Sequence, residues 1–494
     1  MKQTRDSEAY RRLTGALRRQ RRGVTAADMV AGTALPLETV RELLPRASDE
    51  YRGRLEVTES GEILYSFPHG FVSRYRSFPA RLRQTGEKLF RGLRKTGAAI
   101  FKVWIVVMLV GYFLLFMLIA LAALVLSVVS VSKSNSDSRS RRSGGGGMYF
   151  AGNILNLIIR LWFYSELFKP RYVSSAPARS KGKPLHRAVF SFVFGDGDPN
   201  SGWPVREQKA VIAHIQANRG VISLPEFMAL TGLKPEQAEN EITAYCVRFG
   251  GLPEATEAGT VVYRFDPLML KTDAQTGHSG STLKKLWNFS SNSLRMNQAF
   301  ALINGVNLAF GGYFLYCTLN LERLLRSGRI PGFRLFAKAY SFFYKLFGAS
   351  SSPWDIQIPF AVVLGLVPLV FSVLFWLIPA LRHGIMGRNN EKIKLENFRK
   401  TAYSFIWNKP LDVKAADLDP AAEECRPRDL PAARDRIIKE IGAYAVPEVS
   451  VSGRGDTVYA FTGLKQEREA LDSCRSALDA ASSSLGKTVF DSGS

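Results

Sequence analysis

Runs of uncharged apolar residues divide the chain before any motif does. Val103–Val131 contains no charged side chain, and about 20 apolar residues are enough to cross a bilayer. A secretory signal is a poor reading of it, because the run starts deep in the chain and exceeds the length of a signal's apolar core. Ile358–Leu381 is a second run; its Pro359, Pro368 and Pro379 are tolerable in a span only where neighbouring helices satisfy the freed carbonyls. Ala299–Leu321 is a third, interrupted by Asn304, Asn307 and Asn320 but carrying Gly305, Gly311 and Gly312, which permit close helix approach. Met148–Phe168 holds Arg160 near its centre, where an arginine costs about 2.5–3.5 kcal/mol. It reads either as a span with Arg160 turned toward other helices or as a helix lying flat in the interface.

Two stretches have the periodicity of membrane-surface helices. In Phe333–Phe347, Arg334, Lys338, Ser341 and Lys345 share one helical stripe and aromatics fill the rest. Between Arg74 and Lys102 the basic residues, among them Arg81, Lys88, Arg91, Lys95 and Lys102, oppose a single acid, Glu87. Basic residues beside a span favour anionic headgroups and the cytoplasmic side.

Between the apolar runs the pattern is that of soluble modules, and it recurs. Gly61-Glu-Ile-Leu-Tyr65-Ser-Phe67, Gly259-Thr-Val-Val-Tyr263-Arg-Phe265 and Gly455-Asp-Thr-Val-Tyr459-Ala-Phe461 each alternate like a half-buried strand after a turn, with tyrosines 198 and 196 residues apart. Upstream, Arg22-Gly-Val24 answers Arg219-Gly-Val221, and Thr33-Ala-Leu-Pro-Leu-Glu38 answers Thr231-Gly-Leu-Lys-Pro-Glu236. Glu241-Ile-Thr-Ala-Tyr245 matches Glu440-Ile-Gly-Ala-Tyr444, whereas Asp417–Arg434, rich in Pro and acids, leaves the third copy's middle helix unassigned. The predicted order is helix, short strand, helix, turn, helix, hairpin. In the second copy the helices fall at Val205–Asn218, Leu224–Leu230 and Pro235–Phe249, with strands near Gly251–Glu254 and Thr260–Asp266. This order resembles the winged-helix version of the helix-turn-helix fold. The wider pattern, chiefly Phe190-Ser-Phe-Val-Phe-Gly-Asp-Gly-Asp-Pro-Asn200, is similar to an uncharacterised group of bacterial and plastid membrane proteins. That resemblance implies no activity.

The expected fold is mainly α with small β-hairpins: an α-helical membrane protein carrying three winged-helix-like α+β modules, at 8–70, 205–268 and 397–464. A basic amphipathic linker, 71–102, leads into a membrane hairpin, 103–168, made of the span 103–131 and the 148–168 stretch. A Gly/Asp/Pro loop, 186–204, precedes the second module. The second hairpin, 299–381, has spans at 299–321 and 358–381 around the amphipathic helix 333–347, and 465–494 forms a C-terminal helix and tail. Two crossings per hairpin keep every module on one face, expected to be the cytoplasmic face of a bacterial membrane. A flat 148–168 would instead separate the first module from the second.

Composition narrows the partners. With 66 Lys+Arg against 43 Asp+Glu the chain carries +23. Its 46% hydrophobic content excludes general disorder, and Cys246, Cys317, Cys425 and Cys474 are too scattered for a disulfide framework or a metal knuckle. Winged helices often bind nucleic acid, but groove insertion needs cationic or amide side chains on the recognition helix. Leu37–Leu44 offers Arg41 against Glu38 and Glu42, and Pro235–Ile242 carries Glu236, Glu239 and Glu241. Arg434, Arg436 and Lys439 stand beside Asp435 and Glu440 in the third copy. The strongest basic cluster, Arg11, Arg12, Arg18, Arg19, Arg21 and Arg22, falls on the first helix, where phosphate or headgroup contact is the expectation. A protein partner or a homo-oligomer is therefore expected before nucleic acid.

Candidate chemistry is sparse. Asp196, Asp198, Asn200 and Glu207 occupy positions 1, 3, 5 and 12 of an EF-hand-like calcium loop. Ser201 stands where the loop wants Gly, and Pro199 and Pro204 stiffen it, so a turn that starts a helix is the plainer reading. The five histidines are isolated, and no zincin, nucleophile-elbow, Walker or dinucleotide motif occurs. Asn304, Asn307 and Arg160 either line a transport path or make interhelical hydrogen bonds. No enzyme activity and no cofactor besides this calcium loop are expected.

Overall fold

The computed structural model describes residues 2–20, 23–68, 70–71, 96–97, 99–133, 183–272, 282–327, 333–347, 356–453, 455–478 and 485–492. The chain begins with α1 (Lys2–Leu17), α2 (Ala26–Thr33), α3 (Leu37–Tyr51) and the hairpin β1 (Arg54–Thr58) and β2 (Ile63–Ser66). An apolar helix α4 (Ala99–Ala123) comes next, with helical backbone continuing to Lys133, and then α5 (Leu185–Phe194). The next stretch contains α6 (Trp203–Ala217), β3 (Val221–Ser223), α7 (Leu224–Thr231), α8 (Pro235–Phe249), β4 (Leu252–Ala255) and β5 (Val261–Arg264). After it come α9 (Leu294–Leu319), α10 (Leu321–Ser327), α11 (Phe333–Phe347) and the long α12 (Gln357–Asn408). The last stretch has β6 (Val413–Lys414), α13 (Leu430–Tyr444), β7 (Glu448–Val451), β8 (Thr457–Ala460), α14 (Thr462–Ala477) and β9 (Thr488–Asp491). The protein is mainly helical, with small three-stranded sheets.

Two compact units result. The first gathers Met1–Gln84, Asp198–Trp287 and Gly387–Ser494. Its sheets run β3-β5-β4, β6-β8-β7 and β2-β1-β9. Tyr263 lies between Ile222 and Pro253, Tyr459 between Val413 and Val449, and Tyr65 between Val24 and Leu55. Local chemistry sets the helix boundaries: Thr25 and Asp28 form a reciprocal capping box on α2, and Pro at the first helical turn opens α7 and α8. In the last stretch two 3-10 turns, Ala415–Leu418 and Glu423–Cys425, stand where a middle helix would be. Pro420 and Pro427 in that stretch remove the backbone donors a longer helix needs. One continuous apolar core takes Leu13 and Val40 from the first stretch, Ile212 and Phe227 from the second, and Phe398 and Ile437 from the third.

The second unit gathers Thr85–Gly197 and Asn288–Met386. Among the described residues three helices, α4, α9 and α12, are long and apolar enough to cross a membrane. At 52 residues α12 is about 78 Å long, far more than the roughly 30 Å of bilayer hydrocarbon, so only its apolar 358–381 part can occupy a bilayer. Backbones meet closely here: a Cβ on Gly365 would lie 2.9 Å from Leu315 Cα, and one on Gly311 3.0 Å from Leu369 N. Glycine is what permits that approach. Both α4 and α12 contain a π-helical stretch, Val107–Gly111 and Ala361–Leu366. Such a stretch disturbs the ordinary carbonyl pairing, and the fully buried Asn307 donates from Nδ2 to Leu109 O at 2.8 Å. Asn304 does the same for Ser372 O at 2.9 Å.

One expectation needs correction. Residues 186–204 do not form a loop throughout: α5 occupies Leu185–Phe194, because Ala188, Val189, Phe192 and Val193 form an apolar face that is buried. Gly195, at φ +81°, ends the helix, and the Gly/Asp/Pro composition shapes only residues 195–202.

Candidate functional site

Within the first unit α8 is a hub, packed against both α3 and α13. Glu440 on α13 accepts from Arg399 Nε at 2.8 Å and from the Tyr403 hydroxyl at 3.1 Å, while Arg399 Nη1 reaches Gly232 O at 3.4 Å. The adjacent Lys400 is almost fully buried; its Nζ donates to Glu207 Oε1 at 2.7 Å and lies 4.7 Å over the Trp203 ring. An extended segment, 282–287, is held by three asparagines that each offer a donor and an acceptor to one residue's backbone. Asn397 pairs with Lys284 N and O, Asn200 with Lys285 N and O, and Asn390 with Trp287 N and O, all between 2.7 and 3.0 Å.

A second buried group ties α14 to the middle stretch. Glu226 faces His214 Nε2 at 3.0 Å and accepts from Arg475 Nη2 at 2.5 Å, and the same guanidinium donates to Val221 O at 2.8 Å. Burial alone would raise the Glu226 carboxyl, but the His214 hydrogen bond and the Arg475 charge outweigh it and hold it below the ordinary value. A buried pair of this kind is strongly destabilised by loss of one partner.

A cleft of about 960 Å³ lies between the β4–β5 hairpin and α14. Glu239, Glu467, Tyr263 and Tyr444 line it. The Tyr444 hydroxyl donates to Glu467 Oε1 and Oε2 at 3.0 and 3.2 Å. Burial lifts the Glu467 carboxyl to about 7, the Tyr444 bond opposing the rise. Burial and the nearby Glu467 also push the Tyr444 phenol up, so it remains a donor. The cleft can therefore take up or release a proton near neutrality and, once ionised, attract a cation. Nothing in the spacing of these residues announced the cleft, because Glu239 and Glu467 are 228 positions apart in sequence.

The residues singled out from sequence scatter over both units. Asp196 accepts from Lys183 Nζ at 2.9 Å and from Ser291 N and Oγ at 2.7 and 2.6 Å. Asp198 accepts from Asn200 N at 2.8 Å, Asn200 holds Lys285, and Glu207 holds Lys400. Among the described residues no three His, Cys, Asp or Glu side chains gather as metal ligands would. On α1 and just beyond it, Arg11, Arg12, Arg18 and Arg19 are exposed; Arg12 donates to Thr33 O at 2.9 Å and Arg18 covers the Phe71 ring. Burial lowers the Lys209 amine, with the nearby Arg12 and Arg19 adding to the effect. Lys338 donates to Ala123 O at 3.3 Å, Lys345 is exposed, and Lys102 lies over the Phe190 ring at 4.5 Å. Arg21, Arg22, Arg81, Lys88, Arg91, Lys95, the Arg334 side chain and the Met148–Phe168 stretch with Arg160 lie outside the described residues.

No family model matches the chain, and no solved structure matches it. Over 341 residues it is 27% identical to an uncharacterised chloroplastic protein of Arabidopsis thaliana, the match taking in 64% of this chain. The chain spans 61% of that relative's length. The likeness agrees with the plastid side of the resemblance carried by the Phe190–Asn200 segment.

Proposed function

We propose that the chain is an integral membrane protein whose soluble segments are three winged-helix-like modules, assembled on one another and offered to protein partners without catalysis. The observation that carries this reading is the common placement of Tyr65, Tyr263 and Tyr459, each central in a three-strand arrangement between a residue outside the hairpin and one in its other strand. The recognition-type helix α8 is engaged by α3 and α13, and it exposes Glu236 and Glu239 to solvent. Those features favour protein contact over phosphate contact. The charge around Arg12, Arg19 and Lys209 favours, as a second reading, binding of a nucleic acid or other phosphate surface. A transport role draws less support, since the amide nitrogens of Asn304 and Asn307 are spent on interhelical bonds.

The core shared by all three stretches supports placing them on one side of the bilayer. The chain must then cross an even number of times between each pair. α9 and α12 supply two crossings, while α4 supplies one, which makes the Met148–Phe168 stretch our candidate for its partner. The chloroplastic relative favours a plastid-type membrane over the bacterial cytoplasmic membrane expected from sequence. Topology reporters inserted at Gly146, Gly277 and Ser351 test the scheme: matching signals at Gly146 and Ser351, opposite to Gly277, are expected. Equal signals at all three sites would discard it. Tight, salt-sensitive retention of DNA or RNA by the full chain would move the second reading ahead of the first.

A further inference from the structure

In the membrane unit, α4, α5 and the apolar part of α12 enclose a groove of about 530 Å³. Its walls are aliphatic and aromatic throughout, with Ile105 and Met108 on one side, Val370 and Leu374 on the other and Phe194 beneath. Aromatic rings crowd one end: Phe101 lies 5.9 Å from both Trp104 and Phe194, and Phe190 lies 4.9 Å from Phe194. Lys102 stands at the same end, its Nζ 4.5 Å from the Phe190 ring, and no carboxylate among the described residues pairs with it. Arg187 is exposed one turn before Phe190 on α5. Aromatic rings and cations of this kind mark the level of lipid headgroups, and cations there attract anionic lipid.

We propose that this groove holds one acyl chain of an anionic phospholipid, whose headgroup is met by Lys102. The proposal rests on α4 and α12 lying in the bilayer. A wall without hydrogen-bonding groups cannot hold water in ordered positions, whereas a hydrocarbon chain satisfies it completely. The cation at the aromatic end selects the headgroup, and the apolar walls take the tail.

The full chain, purified in detergent and titrated with palmitoyl-oleoyl phosphatidylglycerol or the matching phosphatidylcholine, should retain one phosphatidylglycerol in native mass spectrometry. Lys102→Gln should weaken that preference about fivefold without changing phosphatidylcholine retention. Val370→Trp should fill the groove and lower retention of both lipids, with unchanged circular dichroism confirming that the variant folds. Equal retention of the two lipids by the parent chain, or full retention by Val370→Trp, would overturn the proposal. So would a lipid-free dimer whose contact is broken by Val370→Trp. Release of the chain from membranes by alkaline carbonate would instead overturn the spanning reading on which the groove rests.

Discussion

Replacing Glu467 by glutamine should stabilise the first unit above neutral pH and leave it nearly unchanged in acid. In the folded protein burial raises this carboxyl to about 7, against 4.5 for the unperturbed group. A folded-state pKa above the unfolded one means that the contributed stability is complete below about pH 4.5 and is lost as pH climbs to about 7. At about 1.4 kcal/mol per pH unit the loss approaches about 3.5 kcal/mol, an upper bound because the side chain is only partly buried. Glutamine retains an acceptor for the Tyr444 hydroxyl and cannot ionise. Thermal unfolding of the full chain in detergent, followed by circular dichroism, should show a midpoint roughly 5–10 °C higher for Glu467→Gln at pH 8 and little difference at pH 5. Equal differences at both pH values would show that the folded protein does not raise this carboxyl, and a variant less stable at pH 8 would show that it is ionised and favourably paired there; either refutes the reasoning.

Other substitutions probe the remaining geometry. Arg475→Met strands the Glu226 carboxylate and should cost about 3 kcal/mol in denaturant unfolding; Glu226→Gln combined with it should recover much of the loss. Because Glu226 is held below its ordinary value, its contribution is present above about pH 4.5 and disappears as pH falls through the folded value, so the cost of Arg475→Met should shrink in acid. Gly365→Ala sets a methyl against the Leu315 backbone and should lower the melting midpoint in detergent by several degrees while leaving membrane insertion intact. Asn307→Leu removes the donor to Leu109 O and should destabilise the helix packing by about 1 kcal/mol, read by the same melt.

Much of this fold is written locally. Charge-free runs marked α4, α9 and the first half of α12 because bilayer length is a local property, and Gly-x-x-x-Tyr marked each hairpin because alternation is too. The features that escaped detection depend on distant residues. β9 reads as four residues of a tail until β1 supplies an edge to pair with, more than four hundred positions away. α5 was obscured by the Gly, Asp and Pro residues on its C-terminal side. The Glu467 cleft is invisible for a similar reason: a carboxyl acquires its proton affinity from its surroundings, and Tyr444 and Glu239 come from other helices.

The pairing of β9 with β1 also has a bearing on biosynthesis. Arg54 Nε donates to Asp491 Oδ1 at 2.6 Å, and Val57 sits opposite Phe490. The β1–β2 hairpin thus keeps an open edge while the ribosome makes everything between, including the apolar helices α4, α9 and α12. Its completion waits until Thr488–Asp491 have been made, and trimming those residues should leave a strand edge bare to aggregation.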